Sequence, residues 1–303
     1  MNFPEIAEPD RLHRLEPVAG KIDMVLDTDT FNEIDDQFAL TYALKSLEKL
    51  NIKAVYAAPF HNARSADPAD GMQKSYQEIL KILSLVDINA DDFVFRGSTR
   101  YLSEWQNSES SEAVEDLIQR AQFAAKKPLY VVCIGALTNL ANAIIAEPDI
   151  ITNIAVVWLG GHAHHWQHTK EFNMKQDLLA SRLIFDSGVP LLQIPCQGVA
   201  SHLAVSGPEI EKYVAGKGQI GDYLAQIYRD FEAEHQSMSK VIWDIAPVAY
   251  LINSDWVLTN LTNSPIITDQ ITYSFNPKRH LMRIAYAVKR DSIFQDFFSK
   301  LSL

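Results

Sequence analysis

Short runs of Val, Ile and Leu alternate along the chain with longer amphipathic stretches, a pattern that βαβ units produce and few other architectures do. Candidate strands are "KIDMVLDT", "IKAVYAAP", "PLYVVCIG", "IAVVWLGG" and "VPLLQIPC". Their apolar residues do not alternate with polar ones, so each strand is expected to be covered on both faces, as in a mostly parallel sheet. Candidate helices run over 35–46, 71–85, 111–125, 137–146, 177–185, 220–234 and 244–252, with a last one inside "SIFQDFFSKL". The expected fold class is α/β, an open Rossmann-like sheet flanked by helices. No repeat, low-complexity tract or linker interrupts the 303 residues, so one domain over 1–303 is expected.

A formal charge of -11 excludes general nucleic-acid binding, which needs a basic stripe. No apolar run approaches the roughly 20 residues that cross a bilayer, and the opening segment "MNFPEIAEPDRLHRLEP" has no signal-peptide core. Cys133 and Cys196 lie in apolar surroundings and read as reduced, buried thiols. The expected location is cytoplasmic.

Open parallel sheets bind ligands beyond the carboxyl ends of their strands. That places "DTDTFNEIDD", "FHNARS", "GALTN" and "GGHAHHWQHTKEFN" around the expected site, and the first is the most demanding. Residues 27–36 hold five acidic side chains in ten positions, which repel one another. Two things can offset this. Asp35 and Asp36 precede the amphipathic run "QFALTYALKSL", so helix capping and the helix dipole could account for them. Asp27 and Asp29 leave the strand on one side, and four converging carboxylates form an oxygen site for Ca²⁺ or Mg²⁺. Composition alone leaves both readings open. A phosphotransferase motif of the haloacid-dehalogenase type, DxDx[TV], fits poorly, because Phe31 stands where it wants Thr or Val and the Asp35–Asp36 pair has no role in it.

"VLDTDTFNEIDDQFAL" resembles the N-terminal signature of the inosine–uridine-preferring nucleoside hydrolases, DxDxxxDD, with a spacer two residues longer. The resemblance continues in order. "YAAPFHNA" is similar to the second-strand segment ending in Asn, "CIGALTNLANAI" to TGPLTNLA, and "VVWLGGHAHHWQHTKEFNMKQD" to MGG…AEFN…D. "IWDIAPVAYL" matches HDPxAVAYL, and "MRIAYAVKRDSIFQDFFSKL" the closing strand and helix. It implies an α/β enzyme that hydrolyses the N-glycosidic bond of ribonucleosides, serves nucleobase salvage, and assembles as a homodimer or homotetramer.

The same resemblance implies roles. Ca²⁺ would be held by Asp29, Asp36, Asp244 and the Ile134 carbonyl, with Asp29 also the general base and Asp27 in support. Asp35, Glu171 and Asn173 would bind the ribose hydroxyls, Phe172 would pack beside them, and Asn62 would meet the sugar or the attacking water. Taken alone, Asp244 reads as a helix cap, "EFN" as a surface loop and Asn62 as a turn residue. Two positions depart from the family. His165 replaces a common Asn, and Trp243 stands where many members carry the His that protonates the leaving base. Trp cannot titrate near neutral pH but can stack on a base. His164 or His165 is then the expected proton donor. Two alternatives remain: a ribonucleoside-binding protein without turnover, and a zinc hydrolase built on the His162–His168 cluster.

Overall fold

The computed structural model describes residues 3–16, 20–124 and 127–302. The opening segment's Met1, Asn2 and Pro17, and Ala125 at the end of the third expected helix, lie outside the described residues.

The strands are β1 (Ile22–Thr28), β2 (Leu50–Ala57), β3 (Val94–Arg96), β4 (Leu129–Cys133), β5 (Ile154–Leu159), β6 (Leu191–Ile194), β7 (Ala204–Ser206), β8 (Ser239–Val241), β9 (Val257–Asn263), β10 (Ile266–Ile267), β11 (Tyr273–Ser274) and β12 (Leu281–Val288). The helices are α1 (Glu8–Leu15), α2 (Asp35–Leu44), α3 (Pro68–Leu85), α4 (Glu112–Gln122), α5 (Thr138–Ala146), α6 (Phe172–Gln176), α7 (Leu178–Ser187), α8 (Gly207–Tyr213), α9 (Gly218–His235), α10 (Ile245–Ile252) and α11 (Arg290–Leu301).

Eight strands form one sheet in the order β3-β2-β1-β4-β5-β6-β12-β9, parallel throughout except for β9, which runs antiparallel to β12. Two small antiparallel pairs, β7–β8 and β10–β11, stand outside it. The unbroken apolar runs have the cause expected of them. Met24 and Leu26 of β1 pack into a core with Phe38, Ile79 and Phe297, whereas Val25 between them packs into a second core with Leu117, Leu140 and Phe185. Both faces of the sheet are covered, and every large apolar side chain along β1 is buried.

All five expected strands and all eight expected helices form, with ends shifted by a few residues. One expectation changes. The run after Asp36 is not a half-exposed helix, because all ten residues of α2 are buried, against α3, α9, α10 and α11. A helix buried all round has no polar face, which places the charges at its first turn inside the protein. Among the described residues no helix is long and apolar enough to cross a membrane.

Candidate active site

β1 is an interior strand of the sheet, flanked by β2 and β4, and the acidic loop leaves from its carboxyl end. Asp27, Asp29, Asp35 and Asp36 are all buried, as is Asp244 at the start of α10. One carboxylate oxygen from each of Asp35, Asp36 and Asp244 lies within 4.8 Å of the others. Among the described residues this is the only group of three or more acidic, His or Cys side chains so arranged.

Capping does not explain the acids. The N-cap of α2 is Ile34, with no side-chain cap bond, and Asp244, N-cap of α10, makes none either. Asp36 accepts a 2.6 Å bond from the Thr28 hydroxyl, and Asp27 accepts one of 2.8 Å from the Asn139 amide. Both oxygens of Asp29 and one of Asp27 are enclosed with no hydrogen-bond partner. Asp29 is also closely housed, since a Cβ added at Gly135 would stand 3.0 Å from its carboxylate.

Burial and mutual repulsion push these groups up the pH scale. Burial raises Asp27 to about 7 against the opposing Asn139 bond. Burial, then the charge of Asp35, raises Asp36 to about 8. Asp29 and Asp244 stand well above the usual carboxylate range, from burial first and neighbouring carboxylates second. Burial also raises Asp35, but Lys240 opposes it. Lys240, 3.8 Å from Asp35, is one positive charge set against several acids, and the all-oxygen donors suit a hard cation. The Ile134 carbonyl is held toward the site by the Asn173 amide at 3.0 Å.

A cavity of about 450 Å³ opens on this cluster, within the usual size range of small-molecule sites. Asp35, Asp244, Ile134, Asn62, Glu171, Phe172, Asn173 and Trp243 line it, bringing together segments far apart in sequence. Asp29 and Asp36 are not among its lining residues.

Several expected residues are already engaged. The Glu171 carboxylate caps α6 and accepts from three backbone amides, those of Gly161, Asn173 and Met174, at 2.8–3.0 Å. It reaches a ligand only with its remaining lone pairs. The Asn173 amide donates to the Ile134 and Leu159 carbonyls, leaving its oxygen for the cavity. The Asn62 amide donates to the Asn32 side chain at 2.6 Å and its oxygen accepts from the Arg64 backbone. With Arg64, whose guanidinium donates to the Glu33 carbonyl at 3.1 Å, Asn62 clasps the acidic loop. The loop needs holding, because Phe31 sits at φ 142°, a conformation L side chains rarely adopt.

The histidine expectation is corrected. Neither His164 nor His165 lines the cavity. His164 donates from Nε2 to Gln193 at 3.0 Å, packs on Tyr273 and Phe275, and is pushed down to about 4 by burial. His165 points to solvent. The chain turns sharply at Gly161 (φ 68°), where a Cβ would meet the Tyr273 hydroxyl at 2.5 Å, and this turn brings His162 to the cavity. Among the described residues no histidine of 162–168 joins a group of three or more converging His, Cys, Asp or Glu side chains. Sequence reasoning missed Phe231, Glu234 and His235, which reach the rim from the end of α9, and Cys196 and Gln197 after β6. The rule that ligands gather after parallel strands could have found the last two.

A family model described as inosine-uridine preferring nucleoside hydrolase matches residues 24–295. A pyrimidine-specific ribonucleoside hydrolase (RihA) of Klebsiella pneumoniae is 25% identical over 258 residues, 78% of this chain and 79% of that protein. An inosine-uridine preferring nucleoside hydrolase of Leishmania major is 27% identical over 214 residues, 64% and 66% of the two chains. Among solved structures, a purine-preferring ribonucleoside hydrolase from Gardnerella vaginalis superposes with a TM-score of 0.74 at 19% identity, covering 92% of this chain and 98% of that one. A plant nucleoside hydrolase gives 0.73 at 18% identity, covering 93% and 99%. At those identities the superpositions speak for a common fold.

Proposed function

The chain belongs to the inosine-uridine preferring nucleoside hydrolase family, enzymes of N-glycosyl bonds, and from that premise we propose that it uses Ca²⁺ to hydrolyse ribonucleosides to ribose and free base. The observation that carries the metal is Asp29, whose two buried oxygens have no partner although burial and two neighbouring acids crowd them. Asp29, Asp36, Asp244 and the Ile134 carbonyl are the proposed ligands, an all-oxygen set of the kind Ca²⁺ takes. When bound, the cation supplies counter-charge and lowers the pKa of water at the site.

The residues divide the remaining work. Asp29 takes a proton from the attacking water, whose oxygen forms the new bond to the anomeric carbon as the bond to the base nitrogen breaks. The electron pair leaves with the base. Cleavage of such bonds passes through an oxocarbenium-like state, and buried carboxylates around the sugar stabilise its positive charge. Asp35 and the free oxygen of Asn173 accept from ribose hydroxyls, and Phe172 packs against the sugar. Glu171 and Asn62 act mainly by shaping the wall and the acidic loop. Trp243 stacks on the base. His162, the histidine of the cluster that lines the cavity, takes the role of proton donor to the base in place of His164 or His165. The whole of 1–303 is read as one domain, a cytoplasmic homodimer or homotetramer serving nucleobase salvage; two unpaired cysteines agree with a reducing compartment.

Release of reducing sugar from inosine and uridine, with metal analysis of the purified protein, tests the reading. Sugar release that chelation abolishes and Ca²⁺ restores is expected. Tight nucleoside binding with no release would make the protein a binder, and stoichiometric zinc would overturn the calcium assignment.

A further inference from the structure

Lys240 of β8 is almost wholly buried, its side chain 6% exposed, and its ammonium lies 2.5 Å from Glu33 and 3.8 Å from Asp35. Buried lysines are rare unless paired, and this one is paired twice. Its ammonium also stands over the Phe231 ring, 5.4 Å from the ring centre. Glu33 belongs to the stretch between Asp29 and Asp35 that is two residues longer than the family signature. That stretch is fixed independently by Asn62 and Arg64, so Glu33 is a firm anchor.

The arrangement answers a question the acidic cluster poses. The three carboxylates that converge are Asp35, Asp36 and Asp244, yet Asp35 is the one assigned to the sugar. A carboxylate facing a fixed ammonium already has a cation and gains less by joining another, and the ammonium repels an ion placed on its own side. We propose that Lys240, held by Glu33, is a positioning residue that keeps Asp35 on the sugar side of the cluster and off the metal. This rests on the reading above, in which Asp35 accepts from a ribose hydroxyl. A longer acidic loop thus carries its own lysine clamp, and the clamp tunes recognition of the ribose hydroxyls.

Lys240→Met, Lys240→Arg and Glu33→Gln test it, each assayed on ribonucleosides and their 2′- and 3′-deoxy counterparts, with Ca²⁺ binding measured by calorimetry. In Lys240→Met the KM for ribonucleosides should rise about tenfold, as for a lost charge-assisted contact, with kcat less affected. Its preference for ribo- over deoxynucleosides should fall by a similar factor, and its Ca²⁺ affinity should stay equal or increase. Lys240→Arg should restore most of the preference, and Glu33→Gln should lie between. A Lys240→Met enzyme with unchanged KM and unchanged ribose preference overturns the proposal. So does one whose Ca²⁺ affinity falls, because then the lysine merely holds the site together. Wild-type protein that releases no sugar from any nucleoside fails the parent reading and removes this one with it, whereas an active wild type with an indifferent Lys240→Met fails this one alone.

Discussion

Asp36→Asn should make the metal-free protein more stable and the metal-loaded protein less so. Asn keeps the side-chain shape and the oxygen that accepts from Thr28, so the bond of 2.6 Å can persist. What it removes is one negative charge within 4.8 Å of two others. At an effective dielectric constant of about 20, each like-charged pair at that separation costs about 3 kcal/mol. Partial protonation relieves some of this, as the rise of Asp36 to about 8 indicates. A net gain of about 2 kcal/mol is expected without metal, which for a chain of this size raises Tm by about 3 °C. With Ca²⁺ the order reverses. Wild type gains stability in proportion to the logarithm of ion concentration over Kd, and the variant, one ligand charge short, gains little. Scanning calorimetry in chelator and across a Ca²⁺ series measures both effects. A metal-free variant that melts below metal-free wild type, with neither protein responding to any divalent ion, would refute the electrostatic account and the metal site together.

Further outcomes are expected. Asp29→Asn should lower kcat by about 10²–10⁴, the usual loss on removing a general base, and near-normal single-turnover rates would move the base elsewhere. His162→Gln should slow inosine cleavage far more than cleavage of a nitrophenyl riboside, whose leaving group departs without a proton; equal losses would deny His162 the proton transfer. Burial pushes His164 and His280 down to about 4, so both are neutral in the fold. The folded state therefore resists protonation that the unfolded chain accepts near pH 6.5, and stability is full above that pH and declines as pH falls toward 4, by at most about 3 kcal/mol per group. His164→Gln should flatten that decline in a melting series from pH 7 to 4.5, and an unchanged slope would mean the ring already titrates freely.

What the sequence made legible follows from how each signal arises. The parallel strands and the acidic loop were readable because their cause is local: apolar runs covered on both faces, and carboxylates at one strand end. Asp244 joined the cluster through the resemblance alone, since nothing local distinguishes it from a cap. The rim residues Phe231 and His235 stayed hidden because the end of α9, "FEAEH", reads as a solvated helix end, and only the packing of α9 beside α2 and α3 carries it to the cavity. Lys240 gave no signal either, since its two partners lie some two hundred residues away. The histidine that lines the cavity stands two and three positions before those expected to, beside the left-handed Gly161, whose turn no local pattern announces.

The carboxylates come from distant parts of the chain, Asp29 just after β1, Asp35 and Asp36 from the start of α2, and Asp244 from the N-cap of α10, which packs directly on α2. During synthesis the first three acids emerge early and must wait for their fourth. Contacts of such sequence separation form late, because a long loop has to close before they are rewarded. On the proposed reading, a nascent chain lacking Asp244 has no complete site to fill, and a cation would be held only once the last fifth of the chain has docked. If the proposed metal site is correct, loading reports on finished folding, and the acidic loop stays self-repelling until Asp244 arrives.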